Sequence, residues 1–148
     1  MQILETDPQT FVGCYPPNFP QQKYFLMNAL SNNDDKSVKL FILKNGSICG
    51  RVMAFIDPRH KSFGKKVGSF GWLYAKKPEQ LRFLLTEVEE YFKSSGKNII
   101  RGPRNDPVVF GGQGVLAFGF NQPELFGLPE NPPWYGAVLR KNGYNFDT

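Results

Sequence analysis

VGSFGWLYAKKPEQLRFLLTEVEEYFKSSGKNIIR (67–101) reads as strand, sharp turn, helix and second strand. From Val67 to Ala75 the side chains alternate, with Phe70, Trp72 and Tyr74 on one face and Gly71, Leu73 and Ala75 on the other. Both faces are fairly apolar, which suits a central strand covered on both sides. Pro78 opens a helix, because its fixed φ is helical and the N–H it lacks would go unpaired in a first turn. Leu81, Leu84, Leu85, Val88 and Phe92 recur at helical spacing, while Glu79, Arg82, Glu87, Glu89 and Lys93 fall largely on the wet side. Gly96 stands where a left-handed cap ends the helix, and Ile99-Ile100 begin a strand that Gly102-Pro103 stops. Strand, helix and strand in this order predict a right-handed βαβ crossover between parallel strands.

Working outward, Val38–Leu43 and Ile48–Ile56 read as two strands joined by a turn at Lys44–Ser47, where Asn45-Gly46 is a hairpin signal. Gly50 marks a bulge or a close approach of another segment. The strand at 67–75 then returns antiparallel, so the class is α/β with a mixed, mostly antiparallel sheet and one crossover. Residues 1–20 show little periodicity and read as an extended N-terminal arm, leaving 21–148 as the folded domain. Within it, Gln21–Leu30 reads as a short helix. Near the C-terminus Asn131 is the expected N-cap, with Pro132 at the first position, of a helix over Trp134–Asn142 closed by Gly143.

Bulk properties narrow the function classes. With 41% hydrophobic and 15% aromatic residues, 148 residues suffice for one domain with a core. No run approaches the roughly 20 apolar residues that cross a bilayer, and no leader of charged, then apolar, then small residues is read, so the cytoplasm is the expected location. Cys14 and Cys49 lack metal-ligand spacing, which indicates neither a disulfide scaffold nor a metal site. Net charge is +5, and six basic residues (Arg59, Lys61, Lys65, Lys66, Lys76, Lys77) stand against the single acid Asp57 between Asp57 and Lys77. Such a field attracts nucleotides, phosphates or acidic proteins. Nucleic acid is a less apt partner, since Trp72 and Tyr74 read as sheet residues rather than stacking platforms.

The predicted helix start near Lys76–Gln80 lies at the C-terminal edge of the sheet, where open α/β sheets place ligands. Its free N–H groups and positive dipole end favour an anion. Lys76 and Lys77 oppose that dipole and gain a partner if the ligand carries phosphate; otherwise they are two solvated loop residues. Gly111, Gly112 and Gly114 match neither a dinucleotide fingerprint nor a Walker loop.

Four phrases carry a family resemblance: ICGRVMAFIDPRHKSF (48–63), VGSFGWLYA (67–75), IIRGPRN (99–105) and GFNQPELFGLPENPPWYGAVLRKNGY (119–144). In this order, over roughly residues 12 to 144, the chain resembles a bacterial branch of the Gcn5-related N-acetyltransferases, the acyl-coenzyme A N-acyltransferase superfamily. The resemblance implies that fold, with acyl-coenzyme A or acetyl-coenzyme A as cofactor and a small-molecule or peptide amine as acceptor. It places the pantetheine arm along Gly71, Trp72, Leu73 and Tyr74, and the diphosphate at Lys76, Lys77 and Gln80. Arg101, Arg104 and Asn105, after the following strand, are the candidate substrate-binding residues, the two arginines suiting an acidic substrate or a cofactor phosphate.

The same resemblance shows departures. The family's turn carries glycines, whereas Ala75-Lys76-Lys77-Pro78-Glu79-Gln80 has none. Where many members place a tyrosine acid, this chain has Leu139; Tyr135 and Tyr144 are the neighbouring phenols able to protonate a leaving thiolate. His60 is a candidate base on its unperturbed pKa, with Asp57 and Glu130 behind it. With little read as a first strand and helix, and only Tyr144–Thr148 after the last helix, the chain reads as incomplete at both ends, which opens a homo-oligomer paired through an exposed sheet edge. The expected function is N-acyl transfer from acyl-coenzyme A to an amine; the alternative is a non-catalytic domain of this fold that binds another protein.

Overall fold

The structure is a computed structural model and describes residues 1–14, 20–31, 38–57, 61–62, 64–105, 112–123 and 130–146. The organising unit forms as its sequence requires. Strand β5 (Lys65–Ala75) leads into α3 (Pro78–Ser94), which returns the chain to β6 (Ile99–Arg101), parallel to β5. The last turn of α3 closes on Gly96 at φ 69°, with Gly96 N–H donating to Lys93 O at 3.1 Å and Lys97 N–H to Phe92 O at 2.9 Å. These are the two bonds that a left-handed residue after a helix makes possible.

Upstream, β2 (Val38–Asn45) and β3 (Ser47–Phe55) form the hairpin, turning at Gly46. The sheet has six strands among the described residues: β1 (Gln2–Glu5), β2, β3 and β5 pair in that order, all antiparallel. β4 (Lys61–Ser62) pairs antiparallel with the start of β5. Gly50 answers to both expectations at once: Leu43 pairs with Gly50 and Lys44 with Ile48, so Cys49 bulges out, and a Cβ on Gly50 would come within 2.9 Å of Leu84 Cδ1.

The extended arm is corrected by the structure over residues 1–14. Residues 2–5 are a sheet strand, and α1 (Pro8–Gly13) buries Phe11 and Val12. Asp7 starts α1, accepting from Thr10 N–H at 2.9 Å and from the Thr10 hydroxyl at 2.6 Å, which holds its carboxyl below the usual range. The missed signal was this Asp-Pro start in a helix too short to show a period. With α2 (Pro20–Ser31) following, the expected lack of a first strand and helix is likewise corrected. Helix α4 (Tyr135–Lys141) starts later than expected, with Trp134 as N-cap. Asn131 is engaged elsewhere: its Oδ1 accepts from Leu116 N–H at 2.6 Å and its Nδ2 donates to Leu116 O at 3.2 Å.

The sheet is covered on both faces. Leu43, Val52, Ala54, Phe70 and Ala75 pack with Leu81, Leu84, Leu85, Val88 and Phe92 of α3 and Tyr135, Val138 and Leu139 of α4. On the other face Leu40, Met53 and Trp72 meet Phe11, Val12 and Leu26 of α1 and α2. The expected alternation of 67–75 therefore breaks, because Phe70 and Trp72 lie on opposite faces. Met53 pairs with Gly71 but Arg51 with Tyr74, so β5 carries one residue more than β3 here, and Trp72 takes φ 48°. One inserted residue transfers everything after it to the other face.

After β6 the chain turns through a cis Gly102-Pro103 bond and runs on beside β5. Arg104 N–H donates to Phe70 O at 2.8 Å, and the Arg104 carbonyl occupies the space where a side chain on Gly71 would begin. Gly71→Ala is therefore expected to destabilise by about 2 kcal/mol or more, through backbone displacement. Gly13→Ala, with nothing within 4 Å of the added Cβ, is expected to stay within about 1 kcal/mol of the parent. Equal midpoints for both variants in urea denaturation would disprove the close approach.

Candidate functional site

β5 and β6 pair only as far as Ser69 and Arg101. Beyond that, among the described residues, side chains meet the β6-side edge of β5. Trp72 N–H donates to Asn105 Oδ1 at 2.6 Å. Ala75 N–H donates to the Tyr135 hydroxyl at 2.6 Å, and that hydroxyl donates back to Ala75 O at 3.2 Å. On the opposite edge Lys76 N–H donates to Cys49 O at 3.1 Å, so β5 stays in the ladder with β3 up to the turn. The edge between Trp72 and Ala75 thus points at the start of α3.

At that start, Lys77 is an N-cap with no side-chain capping bond, and Pro78 is the first helical residue. Gln80 and Leu81 N–H both donate to Lys77 O at 3.1 Å. The backbone N–H groups of Lys77 and Glu79 are left without a partner among the described residues. Lys76 and Lys77 are exposed, and the acid in this first turn is Glu79. Gln80 is buried, and among the described residues its Oε1 has no hydrogen-bond partner, a costly state for an amide oxygen.

The expected site residues are thus distributed over three places. Gly71, Trp72, Leu73, Tyr74, Lys76, Lys77 and Gln80 follow one another along the edge and turn, joined there by Tyr135 and Asn105. Gly71 itself is covered by Arg104. The Arg104 guanidinium lies 5.9 Å from the centre of the Phe55 ring, and Arg101 ends β6 half-buried. Tyr144 stands apart: its ring packs edge-on against Phe70, centroids 5.6 Å apart, and its phenol lies near Glu89, about 13 Å along α3 from Gln80. His60 lies outside the described residues.

One residue at the bulge was not singled out by sequence reasoning. Arg51 is 1% exposed, donates from Nη1 to Phe11 O at 3.2 Å, and lies 4.7 Å from the Phe11 ring centre and 5.7 Å from that of Trp72. A guanidinium is the cation best suited to such stacking. The available signal was a charge inside the otherwise apolar run ICGRVMAFI (48–56).

With the geometry in place, the fold can be compared. No family model matches the chain, and no curated protein matches it. Solved structures do. A transcriptional regulator from Bacillus halodurans C-125 aligns at TM-score 0.64 and 13% identity, over 97% of this chain and 92% of that one. A probable acetyltransferase aligns at TM-score 0.61 and 11% identity, over 100% and 92%. AAC(6')-Iy, in complex with the bisubstrate analogue CoA-S-monomethyl-acetylneamine, aligns at TM-score 0.51 and 13% identity, over 71% and 80%. The chain has the acyl-coenzyme A N-acyltransferase fold of the Gcn5-related N-acetyltransferases.

Burial first, and the Glu89 carboxylate second, push the Tyr144 phenol far above its usual value. Glu89 lies close enough to act on the Tyr144 hydroxyl, yet no hydrogen bond of good geometry is made among the described residues. A folded pKa above the unfolded one gives stability that is intact below about pH 10 and is lost as pH rises beyond it. Tyr144→Phe is therefore expected to keep or raise stability at pH 7, by up to about 1 kcal/mol, and to flatten the loss above about pH 10. Denaturation midpoints at both pH values check this; a large loss at pH 7 would mean the hydroxyl is bonded.

Proposed function

We propose that this domain binds acyl-coenzyme A and transfers its acyl group to an amine. The observation that carries the reading is the bulged β5, whose edge past Ser69 meets no paired strand among the described residues and ends at the start of a 17-residue helix. A neighbour of the same fold holds a ligand built on coenzyme A, which supports it.

The residues present suit that group, with one departure. Lys77 and Glu79 N–H, the helix dipole and the ammonium groups of Lys76 and Lys77 would receive the diphosphate. Without glycine the turn offers fewer converging N–H groups, so charge carries more of the binding. The pantetheine arm would lie along Trp72 to Ala75, where the N–H groups now donate to exchangeable side-chain oxygens. Bound acyl-coenzyme A supplies a thioester: the amine nitrogen forms its bond to the acyl carbon as the C–S bond breaks, and coenzyme A leaves as thiol. This chain's part is to hold and orient, and no covalent enzyme intermediate is needed. A backbone N–H on the bulge also suits the oxygen that gains charge as the amine attacks. Arg101, Arg104 and Asn105 would border the acceptor.

A second reading keeps the fold without the chemistry, as a domain that binds another protein. The two bonds between Tyr135 and Ala75 favour it, because they occupy both polar groups of the edge residue nearest the helix.

Titration with coenzyme A and acetyl-coenzyme A, followed by native mass spectrometry, separates the two. Saturable binding is expected, weakened about tenfold by Lys76→Glu with Lys77→Glu at low salt, and by less at high salt. Folded protein that binds neither ligand would overturn the acyltransferase reading.

A further inference from the structure

We infer that Tyr135 is a displaceable plug on the ligand edge rather than the proton donor of the reaction. The inference rests on the proposed acyl-coenzyme A site and names a regulation of it. A residue on a sheet edge presents N–H and C=O side by side, and a neighbouring strand takes both. At Ala75 a single phenolic oxygen takes both, accepting at 2.6 Å and donating at 3.2 Å. The phenolic proton is thereby committed to Ala75 O and points into the sheet. Donating it to a leaving thiolate would require breaking the bond to Ala75 O first.

The position of Tyr135 makes release possible. It is the first residue of α4, and its ring rests against Trp134, centroids 4.6 Å apart. A ring turn or a small shift of α4 frees Ala75 without unpicking β5 from β3, because β3 bonds the other edge. Asn105 Oδ1 likewise accepts from Trp72 N–H. Two side-chain oxygens from different segments thus stand in for two acceptors of an extended, amide-bearing ligand. They also deny the edge to an incoming strand, which unpaired N–H and C=O groups would otherwise recruit.

Tyr135→Phe removes the hydroxyl and little else. Two measurements on the full chain decide the matter: the dissociation constant for coenzyme A, and amide hydrogen exchange at Ala75 by NMR in ligand-free protein. The plug predicts faster Ala75 exchange in the variant and about fivefold tighter coenzyme A binding, the equivalent of one net hydrogen bond. Unchanged exchange at Ala75 would overturn it. So would faster exchange with equal or weaker coenzyme A binding, which marks Tyr135 as a structural brace. If exchange quickens but neither protein binds coenzyme A, the plug holds as an edge guard and the acyl-coenzyme A reading is what falls.

Discussion

The close approach of the Arg104 backbone to Gly71 is the constraint on which the site depends. A carbonyl lies where every other residue type would place its Cβ. That contact keeps the chain beside β5 after β6 has ended, and so sets where the edge becomes free. Asn105 then falls opposite Trp72, and residues 103–105 bond with 112–114: Asn105 N–H donates to Gly112 O at 3.1 Å, and Gly114 N–H to Pro103 O at 2.8 Å. Leu116 meets Asn131 on both its backbone groups, and α4 follows to bring Tyr135 back to Ala75. The edge from Trp72 to Ala75 is therefore ringed by hydrogen bonds that start and finish on β5.

The two faces of the sheet meet at the bulge. Towards α3, Leu73 and Ala75 join the larger core; towards α1 and α2, Trp72 joins the smaller one. A non-glycine residue at φ 48° costs of order 1 kcal/mol or more and persists where its surroundings over-determine it. The surroundings of Trp72 are Asn105 on its N–H and, on its ring side, the buried Arg51 with Phe11. Because Arg51 also bonds Phe11 O, α1 is tied to the same point. The helices on one face and the β6-side edge of β5 are thus linked through one guanidinium and one indole.

Where a local pattern dictates local structure, the sequence could be read directly. The α3 stripe, Pro78 and Gly96 specify the helix, and the alternating runs around Asn45-Gly46 specify the hairpin. Parallel β6 followed from the crossover rule. The bulge was not legible, because its signal is a count between two strands: only pairing with β3 shows that β5 has one residue too many. Asn131 was misread, and the bonds of Tyr135 to Ala75 were not foreseen, for a related reason. Their local contexts, an aromatic on a helix and an Asn before Pro, suit packing and capping, whereas their partners lie 60 and 15 residues away. The order of the site residues along edge and turn was visible; which of their polar groups already had partners was not.

The bulge also sets how this chain can change length over generations. Removing Trp72 would give β5 and β3 a regular ladder and would leave Phe70, Leu73 and Ala75 still facing α3. What would go is the indole that packs with Phe11 and Leu26 and lies beside Arg51 on the other face. A gain of regularity at one point would thus be met by a loss of core elsewhere. The extra residue is thus held by the smaller core on the α1 and α2 side, which its indole fills.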